Sequence, residues 1–221
     1  MIKVKFTVAS TMFQIHKVFR ELEQHSLLSL DTETRGLYSK EERKEASDYL
    51  KNEGIDVDSR TLALVVANNS GLSYPSLVEV THFVFGLSES ESRIIICYDQ
   101  RTEIAVWNWV AKQNIKFLVH NSLYDLKIMF NRIGKLPKDY EDTQLLAKSF
   151  INNAQPWLAK VGLKELMKND YEPSWTLIDE YEPEDLKEEK FLRYTSIDGA
   201  ATFKLWEDIQ CYMEDNSNVE N

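Results

Sequence analysis

Residues 27–37 read Leu-Leu-Ser-Leu-Asp-Thr-Glu-Thr-Arg-Gly-Leu, a short apolar run that ends abruptly in two acidic residues. The run predicts a buried strand from Leu27 to Thr32. Alternate side chains of a strand share a face, so we expect Asp31 and Glu33 to point the same way. A divalent cation between two such carboxylates would relieve the cost of removing both from water.

The acid-x-acid spacing is weak evidence by itself, because the chain of 221 residues contains 36 acidic ones. The same spacing recurs at Glu21/Glu23, Asp56/Asp58, Glu89/Glu91 and Glu182/Glu184. A metal site at residues 31–33 therefore needs support from other parts of the chain.

Composition limits the class of protein. The formal net charge of −10 argues against a protein that holds long duplexes by neutralising many phosphates. An enzyme that grips a few nucleotides stays compatible with it, because bound divalent ions would cancel clustered acids locally. No apolar run approaches the length of a membrane span, and the first residues lack the apolar core of a signal peptide. Cys97 and Cys211 form no disulfide framework, so we expect free thiols and a cytoplasmic location.

Strands followed by alternating strands and helices predict a single α/β domain over residues 1–213, with a mixed β-sheet flanked by helices. A charged helix at about 39–54 is expected to be a surface insertion, and residues 214–221 a frayed polar tail. Strands are predicted at 2–8, 27–32, 61–67, 78–85, 93–98 and 115–119. Helices are predicted at 13–24, from Thr102, at 121–133, from Asp142, at 161–167 and over 184–213, the last with a break left open; residues 173–182 are expected to be irregular.

A second acidic segment, His120-Asn121-Ser122-Leu123-Tyr124-Asp125, follows the short apolar run 115–119. Asn121 and Asp125 are four apart and would share a face of the predicted helix. Asp125 would lie in the first turns, where the helix dipole favours an anion and, through it, a metal site. The alternative is that Asn121 is a helix N-cap and Asp125 a solvated acid.

The third segment contains Tyr194 and Asp198, again one helical turn apart. A phenol beside a metal-bound acid can hold and orient a water molecule. Tyr181 and Asp185 have the same spacing, but Pro183 suits a helix start and would leave Tyr181 outside the helix.

Small residues follow Asp198 at three consecutive positions, Gly199, Ala200 and Ala201. We expect them to let this helix lie close against the sheet, since a surface helix has no need of three small residues in a row.

The three segments resemble, in order and separation, the three motifs of the DEDD (DnaQ-like) superfamily of 3′–5′ exonucleases, in the branch with tyrosine in the third motif. They are Asp-Thr-Glu-Thr-x-x-Leu at 31–37, Asn-x-x-Tyr-Asp at 121–125 and Tyr-x-x-x-Asp at 194–198. Asp142-Thr143 and Leu163-Lys164-Glu165-Leu166 match as well. The detail most resembles the proofreading domain of family A (polymerase I-like) DNA polymerases, including phage ones; RNase D and Werner-type exonucleases share nearly the same motifs.

The resemblance spans roughly residues 27–206, and the parts at 39–54 and 68–92 depart from it. It implies a ribonuclease H-like fold and hydrolysis with two divalent ions. Oxygen ligands without a His/Cys cluster favour Mg²⁺ or Mn²⁺. By resemblance, Asp31 would bridge both ions, Glu33 and Asp198 would complete the site of the nucleophilic water, Asp125 would hold the second ion, and Tyr194 would position the water.

The resemblance also implies substrate contacts. Leu37 would wedge between terminal bases, although a plain core role fits it equally well. Asn121 would steady the second motif or touch the terminal nucleotide, and Thr34 would contact substrate. His120 is expected to be structural. Arg35 and Arg193 are candidates for phosphate contacts or for ordinary surface ion pairs, and the candidates for base stacking are Tyr38, Tyr124, Trp157 and Trp175.

The sequence thus predicts a metal-dependent 3′–5′ exodeoxyribonuclease that acts on single-stranded or frayed DNA in proofreading, replication or repair. One alternative is an RNase D-like exoribonuclease, since tolerance of the 2′-hydroxyl cannot be read from the motifs. Another is a catalytically silent nucleic-acid-binding or polymerase-docking module. The expected partner is a single-stranded DNA 3′ end, with RNA and a DNA polymerase as further candidates and no membrane. The domain would be free-standing or part of a polymerase.

Overall fold

The structure, a computed structural model, describes residues 1–36, 78–154, 161–176 and 185–217. The predicted helix at 39–54 and strand at 61–67, together with Leu37, Tyr38 and Trp157, lie outside the described residues. The strands are β1 (Lys5–Ala9), β2 (Leu27–Ser29), β3 (Asp31–Gly36), β4 (Val78–Ser88), β5 (Glu91–Ile96), β6 (Lys116–Val119) and β7 (Asp139–Asp142). The helices are α1 (Met12–Leu22), α2 (Gln100–Lys112), α3 (Ser122–Ile133), α4 (Thr143–Ala154), α5 (Leu163–Met167), α6 (Pro173–Thr176) and α7 (Glu189–Ser217).

The strands form two connected sheets. In the first, of order β1-β5-β4-β3, β1 runs parallel to β5 and the other neighbours are antiparallel. In the second, of order β2-β6-β7, all strands are parallel. Each parallel pair needs a crossover, and the β6–α3–β7 unit supplies one of them with a helix. The predicted mixed α/β architecture is confirmed.

The prediction of a single strand at residues 27–32 is wrong, because two strands cover this segment. β2 ends at Ser29 and β3 begins at Asp31. Leu30, between them, is fully buried and donates its N–H to the Leu118 carbonyl at 2.8 Å. β2 pairs with β6, whereas β3 pairs with β4 in the other sheet. The junction at Leu30 therefore places Asp31 and Glu33 where the two sheets meet.

Several predicted boundaries change. α2 is capped by Asp99, which accepts from the Thr102 N–H at 2.8 Å, and not by Thr102. Residues 173–176 are helical, although an irregular segment was expected there. α7 has no break, and it continues through residues 214–217, which were assigned to the polar tail. Its buried apolar side chains, among them Ile197 and Leu205, pack into the core and stabilise this long helix.

Helix α7 crosses the sheet at very short range, which confirms the prediction from its small residues. The Ser29 hydroxyl donates to the Gly199 carbonyl at 2.6 Å and accepts from the Gly86 N–H at 2.9 Å. Ala200 and Ala201 are fully buried. The helix therefore holds Asp198 directly beside the strands that carry the other acids.

Both cysteines are free thiols, Cys97 buried and Cys211 exposed. Across the described ranges, no helix has the length and apolarity that crossing a bilayer requires.

Candidate active site

Four acidic side chains from three elements meet in one cleft of about 460 Å³. Ligand oxygens of Asp31, Glu33 and Asp198 all lie within 4.8 Å of one another. Asp125 lines the same cleft and is 2% exposed. Strand β3 supplies the first two acids, α3 supplies Asp125 and α7 supplies Asp198. The structure thus brings together the four acids that the sequence singled out.

Residues 31–34 of the first motif alternate between two roles along β3. Asp31 and Glu33 contribute to the acidic cluster, as predicted. Thr32, at the intervening position, donates its hydroxyl to Asp125 at 2.5 Å. Thr34 hydrogen-bonds the hydroxyl of Tyr124. The two threonines therefore fix α3 against β3, a role that spacing in the sequence did not reveal.

Burial and mutual repulsion disfavour the charged forms of these carboxylates. Burial raises the pKa of Asp31 to about 6. Burial, and then the charges of Asp31, Asp198 and Asp125, raise the pKa of Glu33 well above its ordinary value. Burial and the charge of Asp31 do the same to the pKa values of Asp125 and Asp198. A cation bound next to these four carboxylates would therefore be strongly favoured, because it would stabilise their ionised forms.

The donor set fits a hard divalent cation. All four side chains offer oxygen ligands, which suit Mg²⁺ and Mn²⁺. The Asp198 Oδ2 atom is buried and has no hydrogen-bond partner among the described residues, an unusual state for a charged oxygen. The Oδ1 atom of the same side chain is held by the Trp175 indole, so Oδ2 is the atom available to a metal.

Trp175 was a candidate for base stacking, and that prediction is wrong. The side chain is only 1% exposed, packs on Tyr171, and donates its indole N–H to Asp198 Oδ1 at 3.1 Å. It orients the acid and does not face a base. Its role could not have been found from spacing, because the two residues are brought together only by the fold of α6 against α7.

Tyr194 lies in the cleft beside the acids, one helical turn before Asp198. Burial, and then the charges of Asp198 and Glu33, raise the phenol pKa further above its ordinary value. The hydroxyl therefore remains protonated near neutral pH and can orient a water but cannot act as a base.

Lys164 is a cleft residue to which the sequence had given no role, although it lies in one of the matching segments. Its ammonium lies 4.8 Å from the centroid of the Tyr194 ring. Its charge lowers the pKa values of Glu33 and Asp198 against the larger effect of burial. Lys164 thus supplies positive charge next to the acidic cluster.

His120 is structural, as predicted. Its Nε2 lies 3.1 Å from the Val161 carbonyl, which can only accept, so Nε2 carries the proton. Its Nδ1 then accepts from the Thr143 hydroxyl at 3.0 Å. Burial lowers the pKa of His120 to about 4, which keeps the ring neutral. The histidine ties the segment before α5 to the start of α4.

The polar wall of the cleft includes two uncharged amides, Asn121 and Gln144. Both predicted arginines lie in ion pairs, Arg35 with Glu79 at 2.7 Å and Arg193 with Glu172 at 2.6 Å. The arginine contacts therefore match the surface-pair alternative.

Comparison with known proteins gives matches at the level of structure. No family model and no curated protein sequence matches the chain. Escherichia coli RNase D, an exoribonuclease involved in structured RNA processing, superposes with a TM-score of 0.58 at 15% identity, over 97% of this chain and 46% of RNase D. The chain thus spans less than half of RNase D.

Two shorter proteins match over most of their own length. Brucella melitensis NrnC gives a TM-score of 0.56 at 13% identity, over 99% of this chain and 86% of NrnC. NrnC has also been solved with bound Mg²⁺ and bound to pGG. The Aedes aegypti Nibbler EXO domain gives 0.61 at 10% identity, over 97% of this chain and 92% of that domain. The chain therefore has the ribonuclease H-like α/β fold of these nuclease structures.

Proposed function

We propose that this chain is a divalent-metal-dependent 3′–5′ exonuclease that removes nucleotides from single-stranded or frayed 3′ ends. The observation that carries the proposal is the convergence of Asp31, Glu33 and Asp198 within 4.8 Å, beside Asp125. Asp125 and Asp198 are buried, and the four acids come from three separate elements, whereas a surface acidic patch would be exposed and would have no reason to draw on three elements. The proposal treats the described elements as one exonuclease domain.

Each acid has a proposed role at the metal site. Asp31 would contact both ions, Glu33 and Asp198 would complete one site, and Asp125 would hold the second. When bound, the two ions would activate the attacking water and stabilise the leaving 3′-oxygen. Trp175 and Thr32 orient Asp198 and Asp125 for these roles through hydrogen bonds of 3.1 and 2.5 Å.

Tyr194 and Lys164 act on the reacting groups without binding metal. The protonated phenol, which lies in the cleft with Asp198, would hold the attacking water on the side of the acidic cluster. The Lys164 ammonium favours the ionised forms of Glu33 and Asp198. Its position in the cleft also suits a contact with the scissile phosphate.

Thr34, Asn121 and Gln144 are proposed to contact the terminal nucleotide, since all three line the cleft beside the acids. Leu37 remains a proposed wedge between the last bases. An unpaired end enters such a cleft most easily, so selectivity for mismatched ends needs no reading of base sequence.

Two candidate functions, a deoxyribonuclease and a ribonuclease, differ in the sugar of the substrate. DNA is favoured by the resemblance of the motifs to polymerase proofreading domains, which would place the enzyme in replication or repair. RNA is favoured by the solved structures, because RNase D is described as an exoribonuclease and NrnC has been solved bound to pGG. We retain the deoxyribonuclease as the first candidate and the ribonuclease as the second.

A direct test uses 5′-labelled DNA and RNA oligomers of one sequence with Mg²⁺, Mn²⁺ or a chelator. We expect a ladder of products shortened from the 3′ end, with metal only, and faster release from DNA. Faster turnover of RNA would make the ribonuclease the function.

The control is a pair of acid substitutions. Asp31→Asn should abolish digestion, whereas Asp139→Asn, at an exposed acid on β7, should digest at the wild-type rate. A wild-type protein that digests neither oligomer, and whose Asp31→Asn variant binds DNA equally well, would favour the silent binding module.

A further inference from the structure

A single carboxylate joins the starts of two helices at the edge of the cleft. Asp142, the last residue of β7, accepts from the Gln144 and Leu145 N–H groups of α4 at 2.8 and 3.1 Å. It also accepts from the Ser122 N–H at 2.8 Å and the Asn121 N–H at 3.3 Å, at the start of α3. Four main-chain N–H groups from two elements thus converge on one side chain.

The residue between β6 and α3 has an unusual backbone conformation. Asn121 has φ 64° and ψ 57°, in the left-handed region, and no other non-glycine in the described ranges has a positive φ. Asparagine tolerates this conformation better than most residues but does not prefer it. Its side chain does not cap α3. Two of the hydrogen bonds that hold this turn go from the Asn121 and Ser122 N–H groups to Asp142, and in a third the Tyr124 N–H donates to the Asn121 carbonyl at 2.9 Å.

The conformation of this turn sets the orientation of the second motif, residues 121–125. Asn121 lines the cleft, and Tyr124 and Asp125 follow it in the first turn of α3. A different backbone conformation at Asn121 would rotate α3 and move Asp125 away from Asp31. Among the described residues of the first motif, 31–36, only Thr32 donates a side-chain hydrogen bond to Asp125.

We propose that Asp142 is a positioning residue of the exonuclease site, which fixes the left-handed turn at Asn121 and thereby aims Asp125 at the acidic cluster. Asp142 does not line the cleft and does not bind metal. Its effect passes through the main chain of residues 121 and 122. The inference rests on the proposed function where turnover is measured, whereas metal binding tests it independently.

The test is a double-mutant cycle between Asp142→Ala and Asn121→Gly. In the background that keeps Asn121, Asp142→Ala should lower turnover and weaken Mn²⁺ binding by roughly 10- to 100-fold, the usual loss when a group that orients a ligand is removed. Glycine adopts the left-handed conformation freely. In the Asn121→Gly background the same substitution should therefore cost less than about 3-fold in either measurement.

Thermal stability distinguishes a positioning role of Asp142 from a role in stabilising the fold alone. The hydrogen bonds from Gln144 and Leu145 cap α4 and are lost in both backgrounds, so the melting temperature should fall in both. Asp139→Ala, on the same strand, is the matched control and should change neither Mn²⁺ binding nor turnover. If Asp142→Ala does not fold, Asp142→Asn replaces it in the cycle. Asparagine keeps the shape of the side chain but has a donor in place of one acceptor.

Two results would overturn the proposal: wild-type Mn²⁺ binding in a folded Asp142 variant, or equal losses with and without the Asn121→Gly substitution. A wild-type protein that binds Mn²⁺ but digests no oligomer would refute the exonuclease function alone, and the Mn²⁺ cycle would still decide the role of Asp142.

Discussion

Gly86 and Gly199 bring strand β4 and helix α7 into direct main-chain contact. A Cβ atom built on Gly86 would lie 2.5 Å from the Gly199 carbonyl oxygen and 2.4 Å from the Ser29 hydroxyl. A Cβ atom on Gly199 would lie 2.8 Å from Val84. Asp198 directly precedes Gly199, so this contact sets the distance between Asp198 and the acids of β3.

Gly86→Ala should destabilise the protein and impair the site together. The added methyl group meets main-chain atoms that cannot move aside alone, and such overpacking costs about 1–3 kcal/mol. The free energy of unfolding, measured in urea, reports this loss. Gly162→Ala is the control for stability, since nothing lies within 4 Å of its Cβ position. Equal stability of the two variants would show that α7 can shift at no cost.

Trp175→Phe should reduce activity by about 10-fold while the protein stays folded, because Asp198 loses the hydrogen bond that orients it. Trp107→Phe is the matched control. Trp107 is also fully buried and also donates its indole N–H to a buried acid, Glu103, at 3.3 Å. Both variants should lose similar stability, and only the first should lose turnover per folded molecule. Equal turnover in the two variants would remove Trp175 from the site.

The acidic residues of the site could be predicted from the sequence, whereas the residues that hold them in place could not. Asp31, Glu33, Asp125 and Asp198 could be found because strand and helix periodicity are local, and periodicity says which side chains share a face. Their convergence then followed from a resemblance of the three segments to known motifs. The close packing of α7 was predicted from Gly199 and its two neighbours for the same local reason.

The supporting contacts depend on which elements become neighbours, and no local pattern gives that. Trp175 reaches Asp198 from another helix, and Asp142 reaches Asn121 from a strand 21 positions later. The break at Leu30 was missed because an apolar residue continues the strand pattern, although Leu30 is where the chain passes from one sheet to the other.

Tyr194→Phe should slow turnover by roughly 10- to 100-fold without abolishing it, because a misplaced water costs about that much when the other groups stay in place. The phenol is held protonated by its raised pKa, so its removal takes away orientation and not a base. Single-turnover rates at saturating Mn²⁺ measure the effect. Complete inactivity of a folded variant would assign the phenol a larger role.

Asp31→Asn should stabilise the metal-free protein, and the gain should grow with pH. Burial raises the pKa of Asp31 to about 6, so the folded state binds more protons than the unfolded state up to that pH. The stability that the protonated carboxyl contributes is present in acid and is lost as pH rises through about 6. In chelator, the melting-temperature advantage of Asp31→Asn over wild type should therefore be larger at pH 8 than at pH 5 by about 2–4 °C, on the order of 1 kcal/mol. Mn²⁺ should reverse the order at pH 8, since only the wild type retains the full ligand set. A variant less stable than wild type in chelator at pH 8 would mean that the four carboxylates do not repel one another in the folded protein.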